Sequence, residues 1–323
     1  MSYEESTLTL HDLQPSAESY LDEVIDGLSQ SSKSLPCKLF YDERGYQLFE
    51  EICRLDEYYL TRTEVSIMDD FAGEMAERIE QGAVLIELGS GASVKTRFLL
   101  DHLRSPAAYV PVDISRDHLE QTAAALNEDY PNLNVVALCA DFTSHMELPE
   151  GLDADARRVV YFPGSTIGNF QPHEVLELLR NIRGLCGESG GMLIGIDRKK
   201  DVATLEAAYD DAAGVTAQFN LNILTRINRE LGADFDEDQF EHRAIYNAEH
   251  GRVEISLVSR QSQIVHIDDQ RFSFRAGEPI RTEYSYKFSV EGFEKLAESA
   301  GFERTDCWTD DENMFSVLFL EAA

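Results

Sequence analysis

The residues with chemical potential gather where short apolar runs end. The run Val84-Leu85-Ile86-Glu87-Leu88 passes directly into Gly89-Ser90-Gly91-Ala92-Ser93. Glycines there let the backbone turn sharply and let a ligand approach it closely. No third glycine completes a G-x-G-x-x-G fingerprint and no G-x-x-x-x-G-K-[ST] loop exists, which weakens dinucleotide and nucleoside-triphosphate readings. Glu87, just before the glycines, suits a cationic ligand better than a pyrophosphate. Asp113 ends the next run, 24 residues beyond Gly89, where a carboxylate can accept from both hydroxyls of a ribose. A third run ends in Ala140-Asp141-Phe142, an acceptor for an adenine amino group beside an apolar face for its ring. Each feature alone has a plainer reading: the glycines as a tight turn, Asp113 as a helix cap. Their succession at three strand ends, in order, points to S-adenosylmethionine.

The elements that must carry these residues follow from periodicity. Predicted strands at 84–88, 109–114, 135–141, 158–163 and 192–197 alternate with helical patterns at 94–103, 117–126 and 172–185. Repeated βα units of this kind predict an α/β fold, a doubly wound and mainly parallel sheet. A helix at 290–301 and strands at 305–309 and 315–321, joined by the turn Asp310-Asp311-Glu312-Asn313, close the sheet as in Rossmann-like class I methyltransferases. Two segments stand outside the repeat. One runs to about residue 59; the other covers 202–288, with strand-like alternation at 253–259, 264–267 and 270–274. We read them as one α+β substrate-binding domain, 1–62 with 199–286, set against a methyltransferase domain, 63–198 with 287–323. Ligands of open α/β sheets bind at the carboxyl edge of the strands, so the substrate pocket is expected between the two.

Composition narrows the partners. The chain has 323 residues, 43% of them hydrophobic, with 28 Lys+Arg against 60 Asp+Glu and a net charge of −32. The apolar fraction is that of a globular protein, and the acidic balance repels nucleic acid and anionic membrane. No apolar run approaches a membrane span, and MSYEESTLTLHDLQPSAESY lacks the pattern of a signal peptide. Five scattered cysteines without a C-x-x-C pair read as reduced thiols, and the histidines show no metal-ligand spacing. The expectation is a cytoplasmic monomer acting on a small molecule without a metal.

Further motifs carry a family resemblance. They are Lys38-Leu39-Phe40-Tyr41-Asp42, Glu57-Tyr58-Tyr59-Leu60-Thr61-Arg62-Thr63-Glu64, Gly164-Ser165-Thr166-Ile167-Gly168-Asn169 and Tyr209-Asp210-Asp211-Ala212-Ala213-Gly214-Val215-Thr216. With Glu87-Leu88-Gly89-Ser90-Gly91 and Thr282-Glu283-Tyr284-Ser285 they closely resemble the histidine-specific N-alpha-methyltransferases of ergothioneine biosynthesis, from about Lys33 to the C-terminus. The resemblance implies trimethylation of L-histidine to hercynine by three S-adenosylmethionine molecules. It implies that Gly89, Lys95 and Asp113 hold the cofactor and that Asp141 and Phe142 frame its adenine. It assigns the substrate carboxylate to Asn169 and Tyr209, the imidazole to Tyr58, Glu283 and Ser285, and the surroundings of the reacting amine to Tyr41, Phe49 and Gly164. Where the family carries methionine, this chain has Ile255, a branched residue that reshapes the floor of the imidazole pocket.

The residue types suit that chemistry. Methyl transfer from a sulfonium is an in-line displacement, in which positioning and desolvation supply most of the catalysis. The attacking amine must be neutral, so its neighbours should orient the lone pair without an anion that holds the proton. Tyr41, with a reference pKa of about 10, serves as a hydrogen-bond partner rather than a base. Phe49 and Tyr41 can retain methylammonium intermediates, since an aromatic face attracts a cation by about 0.5–2 kcal/mol. Core packing is the plainer role for each aromatic, with Tyr58 and Tyr59 read as one buried and one exposed. Asn169 could equally be a turn residue and the Glu283–Ser285 pair a solvent-facing pair on an edge strand. Thr61 and Glu64 read as a T-x-x-E capping box. Two other readings compete: an N-methyltransferase for another aromatic amino acid such as tryptophan or a derivative, and a non-catalytic S-adenosylmethionine-binding protein.

Overall fold

Along residues 84–88 the side chains alternate between two apolar cores, Val84, Ile86 and Leu88 entering one and Leu85 the other. That is what a strand buried on both faces must do. The structure, a computed structural model, describes residues 8–13, 17–91, 93–144 and 146–323. Ala92 of the glycine turn, and residues 1–7 and 14–16 of the N-terminal stretch read above for a leader, lie outside them.

The elements run β1 (Leu8–Asp12), α1 (Ala17–Ser29), α2 (Glu43–Ile52), α3 (Tyr59–Ile79), β2 (Val84–Leu88), α4 (Val94–Leu100), β3 (Ala108–Asp113), α5 (Arg116–Asp129) and β4 (Val135–Cys139). Then come β5 (Arg158–Phe162), α6 (Pro172–Cys186), β6 (Gly191–Asp197), α7 (Val202–Ala207), α8 (Val215–Leu231), β7 (Phe240–Asn247), β8 (Arg252–Ser259), β9 (Gln263–Ile267) and β10 (Gln270–Phe274). β11 (Pro279–Tyr286), α9 (Val290–Glu298), β12 (Phe302–Thr309) and β13 (Phe315–Ala322) finish the chain.

Two compact units result. The first holds β1, Leu60–Lys199 and Phe288–Ala323. Its eight-stranded sheet has the order β1-β4-β3-β2-β5-β6-β13-β12, parallel from β1 to β6 with β13 antiparallel between β6 and β12. One core takes residues of α6 and α9, the other residues of α3, α4 and α5. α6 shows how the sequence dictates its helices. Pro172 sits in the first turn, where a missing N–H costs nothing, and Gln171 with Glu174 forms a capping box. Val175, Leu178, Leu179 and Ile182 then fall on one buried stripe. Truncating Leu179 to alanine there costs about 2–5 kcal/mol.

The sequence reading gives residues 8–12 to the substrate domain. Instead they pair in parallel with β4, Leu8 opposite Val135 and Asp12 opposite Cys139. A strand there covers backbone groups that β4 would otherwise present as an open edge.

The second unit holds α1 to Tyr59 together with Lys200–Lys287. Its antiparallel sheet runs β11-β8-β7, beside the hairpin β9–β10. The two segments join along β11: Leu35 N–H donates to Arg281 O at 2.9 Å, and Arg281 N–H to Lys33 O at 2.9 Å. Asp42 caps α2 by accepting from Gly45 N–H at 2.8 Å, and it also takes Asn222 Nδ2 and Arg229 Nη2 of α8 at 2.8 and 2.7 Å. Burial alone would raise the Asp42 carboxyl, but those hydrogen bonds outweigh it and hold the group below the ordinary carboxylate value.

Candidate active site

In the first unit the sheet's carboxyl edge assembles the residues read at three strand ends. Gly89 turns with φ +69°, and a Cβ built on it would stand 3.7 Å from the Phe142 ring, so the turn and that ring lie side by side. Asp113 is buried, and its carboxylate accepts from Gly91 N–H at 3.0 Å and Ser115 N–H at 3.1 Å. Asp113 is not the helix cap of the plainer reading, since Ser115 holds the N-cap position of α5; its carboxylate instead ties the backbone ahead of α5 to the glycine turn. Asp141 accepts from Thr143 N–H and Oγ1 at 3.0 and 2.5 Å, which fixes the bend that presents Phe142. Phe142 packs edge-on against Phe162 and Phe170, at 5.4 and 6.4 Å. Asn169 ends a short 3-10 turn, Thr166–Asn169, and is half-buried.

Glu87 beneath the turn is wholly buried. It accepts from Thr96 Oγ1 at 2.6 Å and from the Tyr109 hydroxyl. Burial lifts its carboxyl to about 7, with the two hydrogen bonds and the Lys95 ammonium pulling the other way.

Glu64 corrects the sequence reading. The helix begins at Tyr59, so Thr61 lies inside its first turn rather than ahead of it. Glu64 is 0% exposed. Its carboxylate receives Lys95 Nζ at 2.5 Å and Gly164 N–H at 2.9 and 3.1 Å. A glutamate one turn into a helix points into the protein, where an ammonium and a backbone donor satisfy it.

In the second unit the rings of Tyr41, Phe49, Tyr58 and Tyr209 form a chain with centroid spacings of 6.1, 6.2 and 6.1 Å. Phe219 of α8, absent from the sequence reading, joins it at 6.0 Å from both Tyr41 and Phe49. Tyr58 and Tyr59 are both buried, 9% and 2% exposed, rather than one in and one out. Tyr59 opens α3 and accepts from Lys200 Nζ at 2.7 Å. Burial first, and then the charges of neighbours including Tyr209 and Glu283, push the Tyr58 phenol well above its ordinary value. It therefore stays neutral.

Glu283 pairs across the sheet with Ile255, placing the two side by side on β11 and β8. Two residues on, Ser285 Oγ lies 2.7 Å from the Tyr209 hydroxyl. Lys287, two further on, is 2% exposed and donates to both Tyr209 OH and Ser285 Oγ at 2.8 Å. The sequence reading passed over this lysine, although the period of two that joins 283 to 285 extends to 287. His242 steadies Tyr209 from behind. Burial holds its imidazole below the usual value; the neutral ring donates from Nε2 to Tyr209 O at 2.7 Å and accepts from Asn220 Nδ2 at 2.8 Å.

The candidates thus fall into two groups. Gly89, Lys95, Asp113, Asp141, Phe142, Gly164 and Asn169 belong to the first unit; Tyr41, Phe49, Tyr58, Tyr209, Ile255, Glu283 and Ser285 belong to the second. Among the described residues there is no cluster of three metal-ligating side chains, and no helix is long and apolar enough to cross a membrane.

A parallel sheet closed by an antiparallel β13 inserted between β6 and β12 is the Rossmann-like sheet of class I methyltransferases, and this order sets the class. Over residues 20–322 the chain matches the family described as histidine-specific methyltransferase, SAM-dependent, and it belongs to that family. It is 42% identical to histidine N-alpha-methyltransferase of Mycobacterium tuberculosis, covering 91% of this chain and 92% of that one. The histidine N-alpha-methyltransferase of Mycolicibacterium smegmatis is also 42% identical, over 93% and 94%. Ergothioneine biosynthesis protein 1 of Neurospora crassa is 34% identical over 86% of this chain and 32% of its own length.

Proposed function

We propose that this chain methylates the α-amino nitrogen of L-histidine three times, giving hercynine on the route to ergothioneine, with S-adenosylmethionine as donor. When bound, that cofactor supplies an electrophilic methyl group on a sulfonium sulfur. The residues at the sheet edge fit it: the Phe142 ring beside the Gly89 turn suits an adenine ring, and Asp113 and Asp141 suit hydroxyl and amino donors. Lys95 completes that set as a cation for a carboxylate.

The observation that carries the histidine reading is Glu283, a half-buried carboxylate beside Ile255 and close enough to Tyr58 to raise its pKa. A carboxylate among aromatic rings suits an imidazole N–H, and Ser285 can serve the second ring nitrogen. Tyr209, with Lys287 donating to its oxygen, is left to donate its own proton toward the substrate carboxylate, a role the family resemblance gives to Asn169 as well. The family resemblance gives Tyr41, Phe49 and Gly164 their roles toward the amine. The neutral phenol of Tyr41 orients the lone pair, and the two rings attract each methylated ammonium, which favours completion to the trimethyl product.

The same proposal takes the protein to be a cytoplasmic monomer. The described cysteines form no disulfide, which supports a reducing compartment. The test is mass analysis of products, with calorimetry, after incubation with S-adenosylmethionine and each of the twenty amino acids. Histidine should gain three methyl groups. Methylation of tryptophan in its place, or cofactor binding without product, would overturn the reading.

A further inference from the structure

We infer that Glu64 is a positioning residue that locks the cofactor lysine and the amine-facing loop to a single carboxylate. The inference rests on the roles proposed above for Lys95 and Gly164. The carboxylate is wholly buried and holds both groups at once, Lys95 Nζ at 2.5 Å and Gly164 N–H at 2.9 and 3.1 Å. The two partners also converge on each other: a Cβ built on Gly164 would stand 3.5 Å from Lys95 Nζ.

Two further observations show that the surroundings are shaped to this carboxylate. On β6, a Cβ built on Gly195 would fall 2.3 Å from Glu64 Oε1, so the neighbouring strand keeps that space open by having no side chain. The loop that Glu64 holds is also one that needs holding. Gly164 and Ser165 both adopt left-handed backbone, φ +77° and +57°, and Ser165 Oγ is anchored separately by Asp197 N–H at 2.8 Å. A buried ion pair gains little stability over an apolar pair of the same volume, because desolvation offsets the attraction. The arrangement is better explained by position. It stops the four-carbon lysine stem from swinging, and it fixes the plane of the Gly164 peptide.

A double-mutant cycle on the whole chain tests this, read by calorimetric affinity for S-adenosylhomocysteine. E64Q removes the charge that pairs with the Lys95 ammonium and puts an NH2 donor in place of one of the two oxygens facing Gly164 N–H. It should weaken S-adenosylhomocysteine about tenfold and lower kcat with histidine at saturating S-adenosylmethionine. In a K95M background the same change should alter affinity by less than about twofold. K95M alone keeps the Gly164 hydrogen bond, so its affinity should fall more steeply than its kcat. Additive losses in the double variant, or wild-type affinity and turnover in E64Q, would overturn the inference. If E64Q yields no folded protein, E64D enters the same cycle with the same expected non-additivity, because its carboxylate is drawn back by one carbon. Failure of the unmodified chain to bind S-adenosylhomocysteine would instead overturn the proposed function.

Discussion

Replacing Glu87 with glutamine should make the sheet unit more stable as the pH rises. Glu87 is 1% exposed, and burial moves its carboxyl from 4.5 to about 7. The folded chain therefore holds this proton more tightly than the unfolded one. Stability is lost from about pH 4.5 upward and the loss levels off above about pH 7. At about 1.4 kcal/mol per pH unit the full effect is about 3 kcal/mol, of which about 2–3 kcal/mol falls between pH 5 and pH 8. Glutamine keeps an oxygen for Thr96 and Tyr109 and has no charge to desolvate. Urea unfolding can be followed through Trp308, the sole tryptophan, which is buried in β12 of the same unit. The stability of E87Q relative to the unmodified chain should grow by about 2–3 kcal/mol across that range. Parallel stability curves for the two proteins would refute the assignment of a protonated Glu87.

Glu283→Ala should abolish histidine binding while S-adenosylhomocysteine still binds by calorimetry; unchanged histidine affinity would remove Glu283 from the imidazole site. Lys287→Met should raise the KM for histidine about ten- to hundredfold, the value of charge-assisted hydrogen bonds to Tyr209 and Ser285, and steady-state kinetics checks it. Asp42→Asn keeps a side-chain acceptor for the cap but removes the charge facing Arg229, and should loosen α2 by about 0.5–1 kcal/mol at pH 7, seen as faster amide exchange in that helix. Because the Asp42 carboxyl is held below its ordinary 3.8, its contribution is present above that pH and lost as pH falls further. The two proteins should therefore converge in acid.

The parallel sheet was legible because its strands are buried on both faces: 84–88 is an unbroken apolar run apart from Glu87. Strand ends were legible for the same reason, since glycine and carboxylate mark where such runs stop. β7 was not. Its burial alternates with a period of two, Glu241, Arg243 and Ile245 outside, but an apolar Ile245 faces out and His242 faces in, so the alternation of burial is not matched by one of polarity. β1 escaped because five residues with two half-buried positions carry little signal before they find a partner. Glu64 was misread because T-x-x-E has two physical meanings. Its local meaning is a cap; the one that prevails depends on Lys95 and Gly164, which lie 31 and 100 residues away. Lys287 went unread because a lysine at the end of a strand normally reaches solvent. Only the closed packing of Tyr209 and Ser285 around it shows otherwise.

The bridge between Arg198 and Phe288 has a consequence for how such a chain can change. Phe288 N–H donates to Asp197 O and Lys199 N–H to Phe288 O, so the chain leaves β6 and comes back at one rung. From the sheet's side, everything from Lys200 to Lys287 is a detour with almost no net span. Closing a loop of that kind costs an entropy that grows only with the logarithm of its length. The detour can be lengthened, shortened or exchanged as a cassette while β6 and β13 keep their register. The segment ahead of Leu60 must change with it, since it shares a rung with β11. A new acceptor can thus be recruited by editing two stretches of chain, with the nucleotide-facing strands left as they are.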